Sequence, residues 1–195
     1  MGYVLCDYEY VKRYFPEFES VLRKLEEDLI ARANAKWSPL KYGGITPKSG
    51  EYGKSTIIPS LFKDNAGNVL TTWEQEFTAT GSQTILTGAA SGGTIYEDYM
   101  VGFVGFAFLD PVIRVTEIKM QISDKKLPRI NLEEAYAYKK PAIVFEEGFI
   151  LDEETGFELI GYVEATGLQR IKPIGIQLNR VPNKLQITDT GAALT

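Results

Sequence analysis

The chain has 195 residues, with 21 Lys and Arg against 26 Asp and Glu and no histidine. That length suits one hydrophobic core rather than two full-sized domains, and 44% hydrophobic with 24% charged residues is globular composition, which argues against a disordered or fibrous class. A net charge of -5 and a pI near 5.0 argue against binding a nucleic-acid backbone, and the missing histidine removes the commonest general base, nucleophile partner and zinc ligand.

The opening MGYVLCDYEYVKRYF lacks the basic and apolar regions of a secretory signal, and Cys6 stands where a myristoylation motif wants Ser or Thr. As the lone cysteine, Cys6 forms no intrachain disulfide; it reads as a small buried hydrophobe in a protein made in a reducing compartment. Asp7 can cap a short helix over 8–14, which Phe15-Pro16 interrupts. From Glu17 to Trp37 the apolar residues Phe18, Val21, Leu22, Leu25, Leu29, Ala33 and Trp37 recur in steps of three and four. Charged residues fill the opposite side, so the spacing predicts an amphipathic helix. Ser38-Pro39 ends it, and Gly43-Gly44, Pro47 and Gly50 form a loop, which puts a boundary near Tyr42.

Beyond that boundary the chain reads as antiparallel β-structure. Turn clusters recur at Asp64 to Asn68, Gly88 to Gly93, Ser123 to Lys126 and Asp152 to Gly156. Alternation is clear at Ile118, Met120 and Ile122 against Glu117, Lys119 and Gln121. It returns at Ile174, Ile176 and Leu178 against Gln177 and Asn179, and each of these strands is expected to keep one wet face. Ala142 to Leu151 and Phe157 to Glu164 flank a short acidic turn and are expected to pair as a hairpin. Asn131 to Tyr136 suits one helical turn within a crossover. About eight or nine strands between Ser55 and Val181 would close an antiparallel jelly-roll or Greek-key sandwich. The organisation is therefore an N-terminal helical arm over 1–42, a β-sandwich body over 43–181 and an extended tail over 182–195.

Tyr99 to Leu109 is an uninterrupted run of apolar residues and glycine that ends at Asp110-Pro111. It is too short for a membrane helix of about 20 residues, and its composition fits a strand buried on both faces. One face should meet the sandwich core and the other the N-terminal helix or a second subunit. Phe103, Phe106 and Phe108 in this run, with Leu22, Leu25 and Leu29 on the helix, are the candidate assembly contacts.

Chemistry-bearing motifs are sparse. Glu97-Asp98, Glu133-Glu134, Glu146-Glu147 and Asp152-Glu153-Glu154 supply carboxylates, but neighbouring residues on a strand point to opposite faces, so none is a glycosidase pair and all read as solvated turns. Asp64 to Asn68 and Asp152 to Glu154 carry oxygen ligands without the spacing of a calcium loop. Gly88 to Gly93 lacks the Lys and Ser/Thr of a phosphate-binding loop, and the basic clusters Lys125-Lys126-Arg129 and Lys139-Lys140 read as solvated. Trp37, Trp73, Tyr96, Tyr99, Tyr136, Tyr138 and Tyr162 could include a sugar-stacking platform, which would make the chain a carbohydrate-binding module; core packing is the commoner fate of such residues. No catalytic residue, metal ligand or cofactor site is expected.

The strand series from Ser55 to Val181, the late segment FELIGYVEATGLQRIKPIGIQLNRV and the arms at both ends together resemble virion structural proteins of phages and archaeal viruses, of the single jelly-roll capsid type. The opening DYEYVKRYFPEF with its following helix is similar to the start of phage head-tail connector proteins, whose helical remainder this chain does not share. The resemblance implies a non-enzymatic subunit, made in the host cytoplasm and residing in the virion. It would assemble in many copies, with other virion proteins as partners, without sequence-specific nucleic-acid binding and without spanning a membrane.

Overall fold

The structure is a computed structural model that describes residues 2–6, 16–37, 52–137 and 140–180. In chain order the elements are β1 (Tyr3–Cys6), α1 (Pro16–Lys36), β2 (Tyr52–Thr56), β3 (Phe62–Lys63), β4 (Glu74–Phe77), β5 (Gly81–Gly88), β6 (Tyr99–Phe108), β7 (Val115–Ile122), β8 (Lys125–Lys126), β9 (Ile130–Asn131), α2 (Glu133–Ala137), β10 (Ala142–Leu151), β11 (Phe157–Val163) and β12 (Gly167–Arg180). They build two six-stranded antiparallel sheets. The first runs β1-β10-β6-β12-β2 with β4 also on β12, and the second runs β3-β5-β11-β7-β8 with β9 also on β7. The protein is thus mainly β, consistent with a sandwich carrying one main helix. Of the eleven strands from β2 to β12, β3, β8 and β9 have two residues each, and the longer ones match the number read from the turn signals. The short helix over 8–14, the boundary near Tyr42 and the tail over 182–195 lie outside the described residues.

The core between the sheets is rich in phenylalanine. Phe103 packs on Phe106 at 5.4 Å, on Phe149 at 5.6 Å and on Phe157 of the opposite sheet at 5.7 Å, while Ile85, Ile118, Met120 and Leu159 fill in around them. Such tilted, stacked and edge-on aromatic pairs add about 0.5–1.5 kcal/mol beyond area burial.

Helix α1 starts on Pro16, which suits a first helical turn, carries Glu17 and Glu19 in that turn and ends on Lys36, so its charges complement the helix dipole. Its buried residues Phe18, Leu25, Leu29 and Ala33 lie along one stripe. The stripe crosses the outer face of the first sheet. Towards the helix start Phe18 and Leu25 join Val104, Val144 and Ile174; towards its end Leu29, Ala33 and Trp37 join Met100 and Leu178. The apolar run of β6 is therefore covered on both sides within one chain, by the inter-sheet core and by α1. Gly102 is part of the fit, since a Cβ there would lie 3.2 Å from the Leu25 side chain.

Three details differ from the sequence-based expectation. Ala142–Leu151 and Phe157–Val163 do not pair as a hairpin: β10 lies between β1 and β6 in the first sheet, and β11 between β5 and β7 in the second. The acidic turn crosses from one sheet to the other, with Glu154 at a φ of 62° helping the reversal. A turn of this length can bridge sheets stacked about 10 Å apart as readily as it closes a hairpin. The wet side expected of β12 is the second difference. Ile174, Ile176 and Leu178 face α1, and Gln177, expected to be wet, is buried and accepts a hydrogen bond from the Ile58 N–H at 3.0 Å. Third, Tyr3–Cys6 is a strand of the first sheet, paired with β10, rather than part of a helical segment. The helical turn expected near Asn131 does form as α2, and the Asn131 Oδ1 accepts the Glu133 N–H at 2.7 Å.

Candidate functional site

The six candidate contact residues fall on two sides of one sheet. Phe103, Phe106 and Phe108 project from β6 into the inter-sheet core and are at most 2% exposed. The bulge opposite Ile174 and Gly175 shifts the inward positions from odd to even numbers along β6, which explains their uneven spacing. Leu25 and Leu29 lie on the outer side under α1, at 3% and 0% exposure, and Leu22 is half-buried beside them. All six serve contacts between elements of the same chain. Burying Leu25 and Leu29 stabilises the helix on its sheet by roughly 1.5–3 kcal/mol each.

Open apolar surface lies instead at the start of α1. A groove of about 390 Å³ runs between β1, the first turns of α1 and β10, lined by Val4, Cys6, Phe18, Val21, Val144 and Phe145, with Glu17 and Glu146 at its rim. Cys6 is buried there, as expected of it. Further along the helix a polar groove of about 270 Å³ carries Lys24, Asp28 and Arg32 across from Glu146 and Glu147, where a register shift in β10 between Val144 and Phe149 lifts the strand.

Two of the acidic clusters converge at the other end of α1. Glu153 is 5% exposed and receives the Trp37 indole N–H at 2.9 Å and the Asp98 backbone N–H at 3.3 Å. Lys36 stands 3.6 Å from its carboxylate. Asp98 pairs with Arg180 and Asp152 with Arg32, the latter at 3.3 Å. Each hydrogen bond to the charged Glu153 acceptor contributes about 1.5–3 kcal/mol, whereas exposed pairs such as Arg32–Asp152 are worth about 1 kcal/mol at most. These contacts tie the last turn of α1, the turn after β10, the start of β6 and the end of β12 together. Glu153 was expected to be solvated; no local sequence signal marks it as the partner of Trp37.

The other candidates are dispersed. Asp64 Oδ1 accepts the Ala66 and Asn68 N–H groups at 2.9 and 2.8 Å, so its carboxylate organises its own turn. Among the described residues no group of three or more His, Cys, Asp or Glu is placed to hold a metal ion. Trp37 is fully buried against Tyr52, Trp73 packs on Phe62 and Tyr99 leans on the core. Among the described residues the exposed aromatics are Tyr3 on β1, Tyr96 before β6 and Tyr162 on β11. Tyr96 adjoins the bridge from Thr94 to Gly156, so Tyr162 stands about 20 Å further along β11 at the usual rise per residue. Tyr138 and the Tyr136 side chain lie outside the described residues. No helix among the described residues is long and apolar enough to cross a membrane. Comparison with known proteins finds no matching family model, no similar curated protein and no similar solved structure.

Proposed function

We propose that the chain is a non-enzymatic structural subunit that self-assembles into a virus particle, as a component of the capsid shell or of the neck. The observation that carries this reading is the order of the strands. If β2, β5, β6, β7, β8, β10, β11 and β12 are numbered one to eight, the first sheet runs one, eight, three, six and the second runs two, seven, four, five. That dealing of consecutive strands between two sheets supports a jelly roll, an architecture used by viral capsid and lectin domains. In this reading α1 is an N-terminal arm laid over the first sheet, β1 and β4 are additions to that sheet, and the two-residue β3 and β9 are additions to the second.

A carbohydrate-binding module would use the same architecture but would want two or three exposed aromatics in one plane, and among the described residues the exposed Tyr3, Tyr96 and Tyr162 stand on separate elements. The partners are further copies of the chain and other virion proteins, and the site of action is the virion, after synthesis in the host cytoplasm. Light scattering of the purified protein across a concentration series tests the proposal. Species of many times 21.8 kDa that grow with concentration are expected, and a single 21.8 kDa species at every concentration would defeat it.

A further inference from the structure

β1 is the outermost strand of the first sheet, and its chemistry differs from that of the other outer strands. Exposed strand edges invite pairing with another chain, and proteins block them with charged side chains. β2 carries Lys54, β3 Lys63, β4 Glu74 and Glu76, and β8 Lys125 and Lys126; the two-residue β9 follows Arg129. β1 reads Tyr-Val-Leu-Cys, with no charge, no proline and no bulge in its pairing with β10.

The hydrogen-bonding phase of the strand is fixed by its inner neighbour. The Glu146 N–H donates to the Gly2 carbonyl at 3.1 Å, which makes Gly2 and Glu146 a hydrogen-bonded pair. Alternation in an antiparallel ladder then turns the N–H and C=O groups of Val4 and Cys6 inward, towards β10, and those of Tyr3 and Leu5 outward. Among the described residues nothing pairs with these outward groups. Val4 itself is 57% exposed and lies at the mouth of the apolar groove with Phe18 and Val21.

We propose that β1 pairs antiparallel with β1 of a second copy about a two-fold axis through Val4. In that register Tyr3 exchanges both backbone hydrogen bonds with Leu5 of the second copy, and Leu5 with its Tyr3, so all the outward groups of both strands are satisfied. The two Val4 residues face each other as a non-hydrogen-bonded pair, the closer of the two spacings, and carry the apolar surface of one groove into the other. Self-pairing suits this edge electrostatically, because a neutral strand brings no like charges together, whereas self-pairing β2 or β8 would set lysines against lysines. The result is one continuous sheet of twelve strands across two chains. The contact is small and would act as one of several in a larger assembly, where linked weak contacts reinforce one another. It rests on the assembly reading in taking a second copy as the partner.

Two variants of the full chain test it by light scattering and cross-linking. Val4→Lys gives β1 the protection the other edges have and is expected to weaken association at least tenfold, while Leu168→Lys, at a comparably exposed position on β12, leaves the mass unchanged. Val4→Cys in a Cys6→Ala background is expected to give a disulfide-linked dimer under mild oxidation, because directly opposed non-hydrogen-bonded positions bring their Cβ atoms within bonding range. Leu168→Cys in the same background is the control. Association unaffected by Val4→Lys, with Val4→Cys cross-linking no faster than the control, would overturn the β1 pairing and leave assembly standing. A wild-type chain that stays at 21.8 kDa throughout would overturn both.

Discussion

The packing of α1 on its own sheet can be tested by a double-mutant cycle at Leu25 and Gly102. Leu25 is 3% exposed, and its side chain lies 3.2 Å from where a Cβ on Gly102 would stand. Leu25→Ala removes a buried side chain and should cost about 2–5 kcal/mol, depending on how far the site collapses. Gly102→Ala pushes a methyl group against Leu25, an overpacking cost of roughly 1–3 kcal/mol partly offset by a stiffer unfolded chain. In the double variant the new methyl enters space that Leu25 has vacated, so the combined loss should fall short of the sum by about 1 kcal/mol or more. Any effect of Gly102→Ala on the unfolded state cancels in the cycle. Urea unfolding followed by tryptophan fluorescence at two protein concentrations measures the coupling. If α1 packs on the sheet of its own chain, the coupling is the same at both concentrations. Additivity within about 0.5 kcal/mol, or a coupling that rises with concentration, would refute the arrangement.

Other positions discriminate in the same way. Glu153→Ala leaves the buried Trp37 N–H without its acceptor and should cost about 2–4 kcal/mol with a change in Trp37 emission, whereas Glu147→Ala on the exposed bulge should change stability by less than about 0.5 kcal/mol. Gly105→Ala would drive a Cβ into the Ile143 carbonyl, which is backbone and cannot step aside, so thermal denaturation should show a loss of at least about 2 kcal/mol. Arg170 joins Glu74 and Asp110 at a half-exposed surface, and Arg170→Ala should cost about 1 kcal/mol or less, with the difference shrinking in high salt.

What the sequence made legible was periodicity. The three- and four-residue steps from Phe18 to Trp37 located α1 and its buried stripe, and the two-sided apolar run of β6 announced a strand needing a cover on each face. The fates of Trp37 and Phe103 followed from their type, as large apolar groups go inside. Pairing was not legible, because it depends on which sheet a strand joins. A short polar turn after Leu151 is compatible with a hairpin or with a crossing, and only the long-range partners of β10 and β11 decide between them. Gln177 and Glu153 are buried for a related reason: polarity predicts exposure unless a distant donor is waiting, here the Ile58 N–H and the Trp37 indole. β1 is not legible in the sequence because four residues show too little alternation to signal a strand.

The most direct test of the central claim is electron microscopy of the concentrated 195-residue protein, with image averaging of any large species. The account predicts closed shells, rings or tubes whose repeating unit is a two-sheet sandwich with α1 lying on its own outer sheet. A field of isolated 21.8 kDa particles at every concentration, with no ordered assembly, would contradict it.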